Sequence, residues 1–156
     1  MTSEVDVDTH EELFLADPAA TDALGARVAG QLASTPGGVI YLQGPLGAGK
    51  TSFARALLRA LGVTGAVRSP TFTLMEVYEM ATARVLHLDL YRLSGPDDLY
   101  GLGLDEYPPE SWWWLVEWPE RGVGALPAPW LDLRLTQSGA GRMASLRYES
   151  RGALAC

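Results

Sequence analysis

Apolar and polar positions recur with different periods along this chain, and each change of period predicts a new element. Residues 12–15 predict a short edge strand. Asp17-Pro18 follows, a capping side chain and then a proline at the first helical position, where its missing N–H costs nothing. Ala20, Leu24, Val28 and Leu32 recur every four residues and predict an amphipathic helix that ends near Thr35-Pro36-Gly37-Gly38. Val39-Ile-Tyr-Leu42 is continuously apolar and β-branched or aromatic, as a strand buried on both faces must be. After a glycine-rich turn, Phe53, Ala54, Leu57, Leu58 and Leu61 share one face of a predicted helix over 50–61, with Gly62 as its stop.

Further along, residues 72–78 predict a strand. The period of two in residues 85–91 puts Leu86, Leu88 and Leu90 on one sheet face and His87, Asp89 and Tyr91 on the other. Residues 96–102 predict a short helix, and residues 112–116 a second doubly buried strand. Leu131, Leu133 and Leu135 then alternate with Asp132, Arg134 and Thr136, and Ser138-Gly-Ala-Gly141 turns the chain into residues 143–148 as a hairpin. Strands alternating with helices, then a hairpin, predict an α/β fold: a central, mostly parallel sheet with antiparallel edge strands and a C-terminal β-hairpin.

Composition narrows this picture. A chain of 156 residues with 47% hydrophobic content has the size of a single domain, 1–156, with residues 1–10 as a flexible or edge tail. Its longest apolar runs fall far short of the roughly 18 residues a membrane span needs, and the first residues are acidic rather than basic then apolar. A soluble, cytoplasmic protein without a membrane partner is expected. The one cysteine, Cys156, has no neighbour with which to form a disulfide or a metal site. A formal net charge of -7 argues against direct nucleic-acid binding, which needs clustered cations, so any nucleic acid is expected to be held by a partner. Every basic residue except Lys50 is arginine, which singles out that position for a compact ammonium.

Lys50 lies in Gly44-Pro-Leu-Gly47-Ala-Gly49-Lys50-Thr51, which fits the P-loop pattern. Glycines let such a turn fold its amides inward onto phosphate oxygens, Lys50 adds charge, and the helix start adds its dipole. Thr51 offers a hydroxyl to Mg²⁺, which prefers oxygen ligands. ATP and Mg²⁺ are the cofactors expected. Strand, turn and amphipathic helix occur in the order the mechanism requires.

Phosphoryl chemistry on such a turn also needs acids at the ends of neighbouring strands. Asp89 and Glu117 occupy such positions. Each has a simpler alternative: an ion pair with Arg92 or a neighbour for Asp89, a solvent-facing strand end for Glu117. Thr71, in the stretch Arg68-Ser-Pro-Thr-Phe-Thr73, is placed to reach the metal or the outer phosphate, or else belongs to an ordinary turn. His87 reads as structural or catalytic, and Trp118 as a wall of the site or as core.

Four motifs in order, namely the P-loop, Ser69-Pro-Thr-Phe72, His87-Leu-Asp-Leu-Tyr-Arg-Leu93 and Glu117-Trp118, resemble the TsaE family. Ala20-Thr21, Leu24-Gly25 and Gly103-Leu-Asp-Glu-Tyr107 extend the likeness, so that it covers residues 17–121. The resemblance implies a P-loop NTPase-like three-layer sandwich and an ATPase that works with the TsaB and TsaD proteins. That system transfers a threonylcarbamoyl group to the tRNA adenosine beside the anticodon, a bond the ATPase does not itself make. By the same resemblance Leu46, Gly47, Ala48, Gly49, Lys50 and Thr51, with Ser52 in the place of a second threonine, bind the nucleotide. Thr51 and Glu117 organise Mg²⁺, Asp89 serves hydrolysis, and residues 69–72 form a switch-like loop containing Thr71. The triple tryptophan at 112–114 is unusual for the family, and the C-terminal hairpin matches only weakly.

Other nucleotide chemistries fit less well. A GTPase recognises guanine through Asn-Lys-x-Asp, and no second lysine exists. A small-molecule kinase carries an arginine-rich lid, and no basic insertion follows the turn. An ATP-dependent assembly or regulatory module with little hydrolysis of its own stays open beside the ATPase.

Overall fold

Asp17 starts the first helix as its sequence suggests: its carboxylate accepts from the Ala20 amide at 2.9 Å, and Pro18 follows at the first helical position. The computed structural model describes residues 9–149, so Cys156 and residues 1–8 of the expected tail lie outside the described residues. Thr9 and His10 already belong to a strand. In chain order the elements are β1 (Thr9–Leu15), α1 (Pro18–Leu32), β2 (Gly38–Gln43), α2 (Lys50–Ala60), β3 (Met75–Glu79), β4 (Arg84–Asp89), β5 (Trp113–Glu117), β6 (Leu131–Ser138) and β7 (Gly141–Tyr148). Three 3₁₀ helices, Pro96–Leu102, Leu104–Glu106 and Pro119–Gly122, fill the remaining connections.

All seven strands form one sheet in the order β1-β7-β6-β2-β5-β4-β3. Strands β6, β2, β5 and β4 run parallel through its centre; β7, β1 and β3 are antiparallel to their neighbours. Such a mixed sheet of parallel centre and antiparallel margins is the one the pattern predicts.

Both α-helices cover the same face. Leu24, Val28 and Leu32 of α1 and Phe53, Leu57 and Leu58 of α2 are buried there against Ile40, Leu42, Leu115, Leu133 and Leu146. Each such side chain contributes about 1.5 to 3 kcal/mol through removal from water. The opposite face carries no α-helix among the described residues. Leu86, Leu88, Leu90, Trp114 and Val116 are covered there by Leu99 and Leu102 of the 3₁₀ segment and by loop residues such as Leu126. Gly95, Pro96, Gly101, Gly103, Pro108 and Pro109 explain why: a stretch this rich in glycine and proline does not sustain an α-helix.

Tryptophans 112–114 divide between the faces. Trp113 turns toward the helices and donates its indole N–H to Thr35 O at 3.1 Å, while Trp114 turns the other way and donates to Tyr107 O at 2.7 Å. Trp112 precedes β5 and meets Tyr107 edge-on. The strand predicted over 72–78 begins only at Met75, because residues 70–74 close a turn through Leu74 N–H to Pro70 O at 2.8 Å and Leu74 takes φ +69°.

Candidate functional site

Chain direction decides where chemistry collects. Parallel strands β2, β4 and β5 deliver their carboxyl ends to one edge of the sheet, and β6 brings the hairpin turn to that same edge. In that edge lies a cavity of about 350 Å³ bordered by Leu46, Gly47, Gly49, Lys50, Thr51, Ser52, Thr71, Asp89, Glu117 and Trp118, with Tyr91, Arg92 and Arg142. Of the nucleotide-binding residues expected from sequence, only Ala48 stands back: it is buried and donates its N–H to Pro45 O at 3.2 Å.

The glycine-rich turn joins β2 to α2. Gly44 has φ +143°, and a Cβ there would lie 2.3 Å from the Leu135 carbonyl of β6. Gly49 has φ +107° and caps α2 with no side-chain bond of its own, which leaves the first amides of the helix facing the cavity. Lys50 opens the helix. Its ammonium donates to Gly44 O at 2.5 Å and lies 3.5 Å from the centroid of the Trp118 ring, so the cation is held by its own turn and an aromatic face. Burial pushes its proton affinity down; the charges of Glu117, Glu120 and Asp89 pull it back up.

Asp89 and Glu117 are register neighbours on adjacent parallel strands, and Glu117 is also opposite Leu42 on β2. Both face the helix side of the sheet, both are at most 5% exposed, and both border the cavity. Asp89 accepts the Tyr91 amide at 3.0 Å and the Thr71 hydroxyl at 3.4 Å. Burial raises its pKa, and the negative charge of Glu117 adds to that; the Tyr91 N–H, His87 and Thr71 act in the opposite sense. With the Thr71 hydroxyl donated to Asp89, Ser69 donates to Thr71 across 2.7 Å. Asp89 thus forms no ion pair with Arg92, whose guanidinium lies over Phe72 at 4.5 Å. Leu74 ties this loop to the strand, since its carbonyl accepts the Asp89 amide at 3.1 Å.

Glu117 is not a solvent-facing strand end. Its Oε2 lies 2.7 Å from His87 Nε2, and both side chains are buried. The His87 Nδ1 has no hydrogen-bond partner among the described residues, so within them the ring is held from one side, by Glu117. This makes His87 a positioning residue for that carboxylate. Trp118 serves both as wall and as packing: it follows Glu117 in the left-handed region at φ +59°, packs against Tyr91 at 4.9 Å and carries Lys50 on its ring. A left-handed non-glycine residue costs about 1 to 2 kcal/mol, and here that conformation turns the indole under the ammonium.

The donor set suits magnesium with a nucleotide better than a metal held by protein alone. No cluster of three or more His, Cys, Asp or Glu side chains is disposed to hold a metal among the described residues. The cavity instead offers the Thr51 hydroxyl and the Glu117 and Asp89 carboxylates, all oxygen, a set that leaves room for phosphate and water ligands.

Tyr91, Arg92 and Arg142 border the cavity beyond the site residues expected from sequence, and Arg142 alone of them comes from the hairpin. The available signal was topological: a hairpin leaving a parallel strand must turn at the carboxyl edge, so the first residues of β7 arrive beside the glycine-rich turn.

Known proteins resemble this chain over most of its length. The family model described as "Threonylcarbamoyl adenosine biosynthesis protein TsaE" matches residues 15–144. Proteins named tRNA threonylcarbamoyladenosine biosynthesis protein TsaE are similar to the chain. That of Haemophilus influenzae is 45% identical over 57% of this chain and 56% of its own length; that of Synechocystis is 44% identical over 70% and 71%. The Nostoc protein is 35% identical over 88% of this chain and 85% of its own. Among solved structures, Bacillus subtilis YdiB superposes with a TM-score of 0.75 at 29% identity, covering 91% of this chain and 87% of that one.

Proposed function

We propose a function from one premise: the chain belongs to the TsaE family, named for tRNA threonylcarbamoyladenosine biosynthesis. Within that process it is a magnesium-dependent ATPase on a P-loop NTPase fold. The supporting observation is convergence: the turn from Gly44 to Thr51 and two carboxylates from adjacent parallel strands border one cavity.

The amides at the start of α2 and the Lys50 ammonium bind the phosphates. Lys50 exchanges the Gly44 carbonyl and the Trp118 face for them, and regains in charge what burial takes from it. Thr51 and Glu117 hold Mg²⁺, with His87 fixing the Glu117 rotamer. When bound, the ion neutralises charge on the phosphate oxygens and polarises the bond to be broken. Asp89, whose proton affinity is raised, orients the attacking water and accepts hydrogen bonds from Thr71 and Tyr91 that keep it aimed. Because Thr71 is bonded to Asp89, the Ser69–Thr71 segment follows the state of the acid and can pass it to partners.

The partners are the TsaB and TsaD proteins in the cytoplasm, and tRNA is met only through them. They, not this chain, make the threonylcarbamoyl bond. The resting place of Lys50 on Gly44 and Trp118 favours slow turnover by the isolated chain. It also supports a second reading, an ATP-dependent assembly module.

The test is reconstitution with TsaB, TsaD and tRNA, scoring ATP hydrolysis and modified tRNA together. Asp89→Ala and Glu117→Ala should each cut turnover by about 100-fold or more. Full modification by both variants would sink the ATPase; many rounds of product on a non-hydrolysable analogue would establish the assembly module instead.

A further inference from the structure

Resting on that nucleotide reading, we infer that Arg142 is a nucleotide-binding residue. Its guanidinium holds the inner phosphates, those common to ATP and ADP, from the flank of the turn opposite the two acids. Arg142 is the second residue of β7, paired with Gln137 of β6 and Leu15 of β1, and it borders the cavity. Its guanidinium rests against Gly49. A Cβ added to that glycine would lie 2.7 Å from Arg142 Cζ and Nη1 and 2.8 Å from Nε.

The cation therefore sits at the amino end of α2, beside helix amides that carry partial positive charge. A cation placed there is repelled unless an anion lies between. Arg142 has no ion pair within 4.0 Å among the described residues. Lys50, in contrast, has Glu117, Glu120 and Asp89 close enough to raise its pKa. Positive charge on the β7 flank is unbalanced, and a planar guanidinium is shaped to fork onto two phosphate oxygens.

Strand order says which phosphates. Glu117 and Asp89 lie one and two strands from β2 on one side, and Arg142 lies two strands from it on the other. Arg142 thus reaches Gly49 from the β7 flank while the acids come from the β5 and β4 flank, so the two groups approach a bound polyphosphate from opposite sides. With the metal and the outer phosphate at the acidic end, the inner phosphates fall to Arg142.

Calorimetry with ATP and with ADP on the parent chain, Arg142→Ala, Arg142→Met and Arg142→Lys tests this. Methionine keeps the packing over Gly49 and removes the charge, so it decides the matter should the alanine variant not fold. Arg142→Met and Arg142→Ala should weaken both nucleotides alike by about 10- to 100-fold. Arg142→Lys should fall between, and the KM for ATP in the reaction with TsaB and TsaD should rise in the same order. Parent-like affinity of Arg142→Met for both nucleotides overturns the role of Arg142 alone. A loss confined to ATP, or a fall in kcat at unchanged KM, overturns it too, because the residue would then serve the outer phosphate. A parent chain that binds neither nucleotide overturns the nucleotide reading itself.

Discussion

At Asp89 the fold works against an ionised group. In the unfolded chain this carboxyl titrates near 3.8; in the folded one burial and the neighbouring Glu117 hold the proton to higher pH. Between those two values the folded chain binds more protons than the unfolded one, so stability drops as pH rises through the window, and above it the whole penalty is in force. Asp89→Asn keeps one oxygen for the Tyr91 amide, turns an NH2 group toward the Thr71 hydroxyl oxygen, which can accept, and removes the charge. That variant should melt above the parent at ~pH 7 and converge with it at ~pH 3, while losing turnover. Coincident melting curves at the higher pH would show that desolvation of Asp89 is not felt. A site that loses stability by keeping an ionised acid in place is what a cation-binding function would require. His87 could not have been assigned from sequence, because its contribution depends on β4 and β5 being adjacent and in register, a pairing that residue order alone leaves open.

The elements differ in how plainly the sequence announces them. Helix α1 was legible in full, since capping residue, proline and four-residue spacing agree on one start and one face. Strands β2 and β5 were legible as apolar runs, and the glycine-rich turn between β2 and α2 as a pattern with its own chemistry. Strand β3 starts three residues later than its pattern predicts. Phe72 and Thr73 have strand-like chemistry, but a hydrogen bond from Leu74 to Pro70 and the neighbouring Asp89 backbone keep them in a turn, a tertiary cause that local pattern cannot carry. The close crossing of α1 and α2 was hidden for the same reason. Gly25 lies so near α2 that a Cβ would sit 2.6 Å from Ala56 Cβ and 2.9 Å from the Ala56 and Leu57 backbone. Backbone cannot rotate out of the way, so Gly25→Val should cost about 1 to 3 kcal/mol in urea denaturation and weaken ATP binding by shifting the start of α2. An unmoved urea midpoint would mean that the helices separate at little cost.

For the molecule as a whole, net charge weighs against direct contact with RNA. With a net charge of -7 and acids at exposed positions such as Asp97, Asp98, Asp105, Glu106 and Glu110, the chain is poorly equipped to displace counterions from a polyanion. In a gel-shift assay at ~150 mM salt the chain alone should leave tRNA unshifted, and tRNA should be retained only when TsaB and TsaD are present. A salt-sensitive shift with the chain alone would break the assignment of RNA contacts to the partners. One further consequence follows from Thr9 lying opposite Tyr148, which makes the earliest described strand a hydrogen-bonded neighbour of the last. During synthesis the leading segment emerges with no sheet partner and must wait for the trailing one to clear the ribosome before it can dock. The same late arrival brings Arg142 to Gly49, so a growing chain cannot complete the cavity at the glycine-rich turn until β7 has been made.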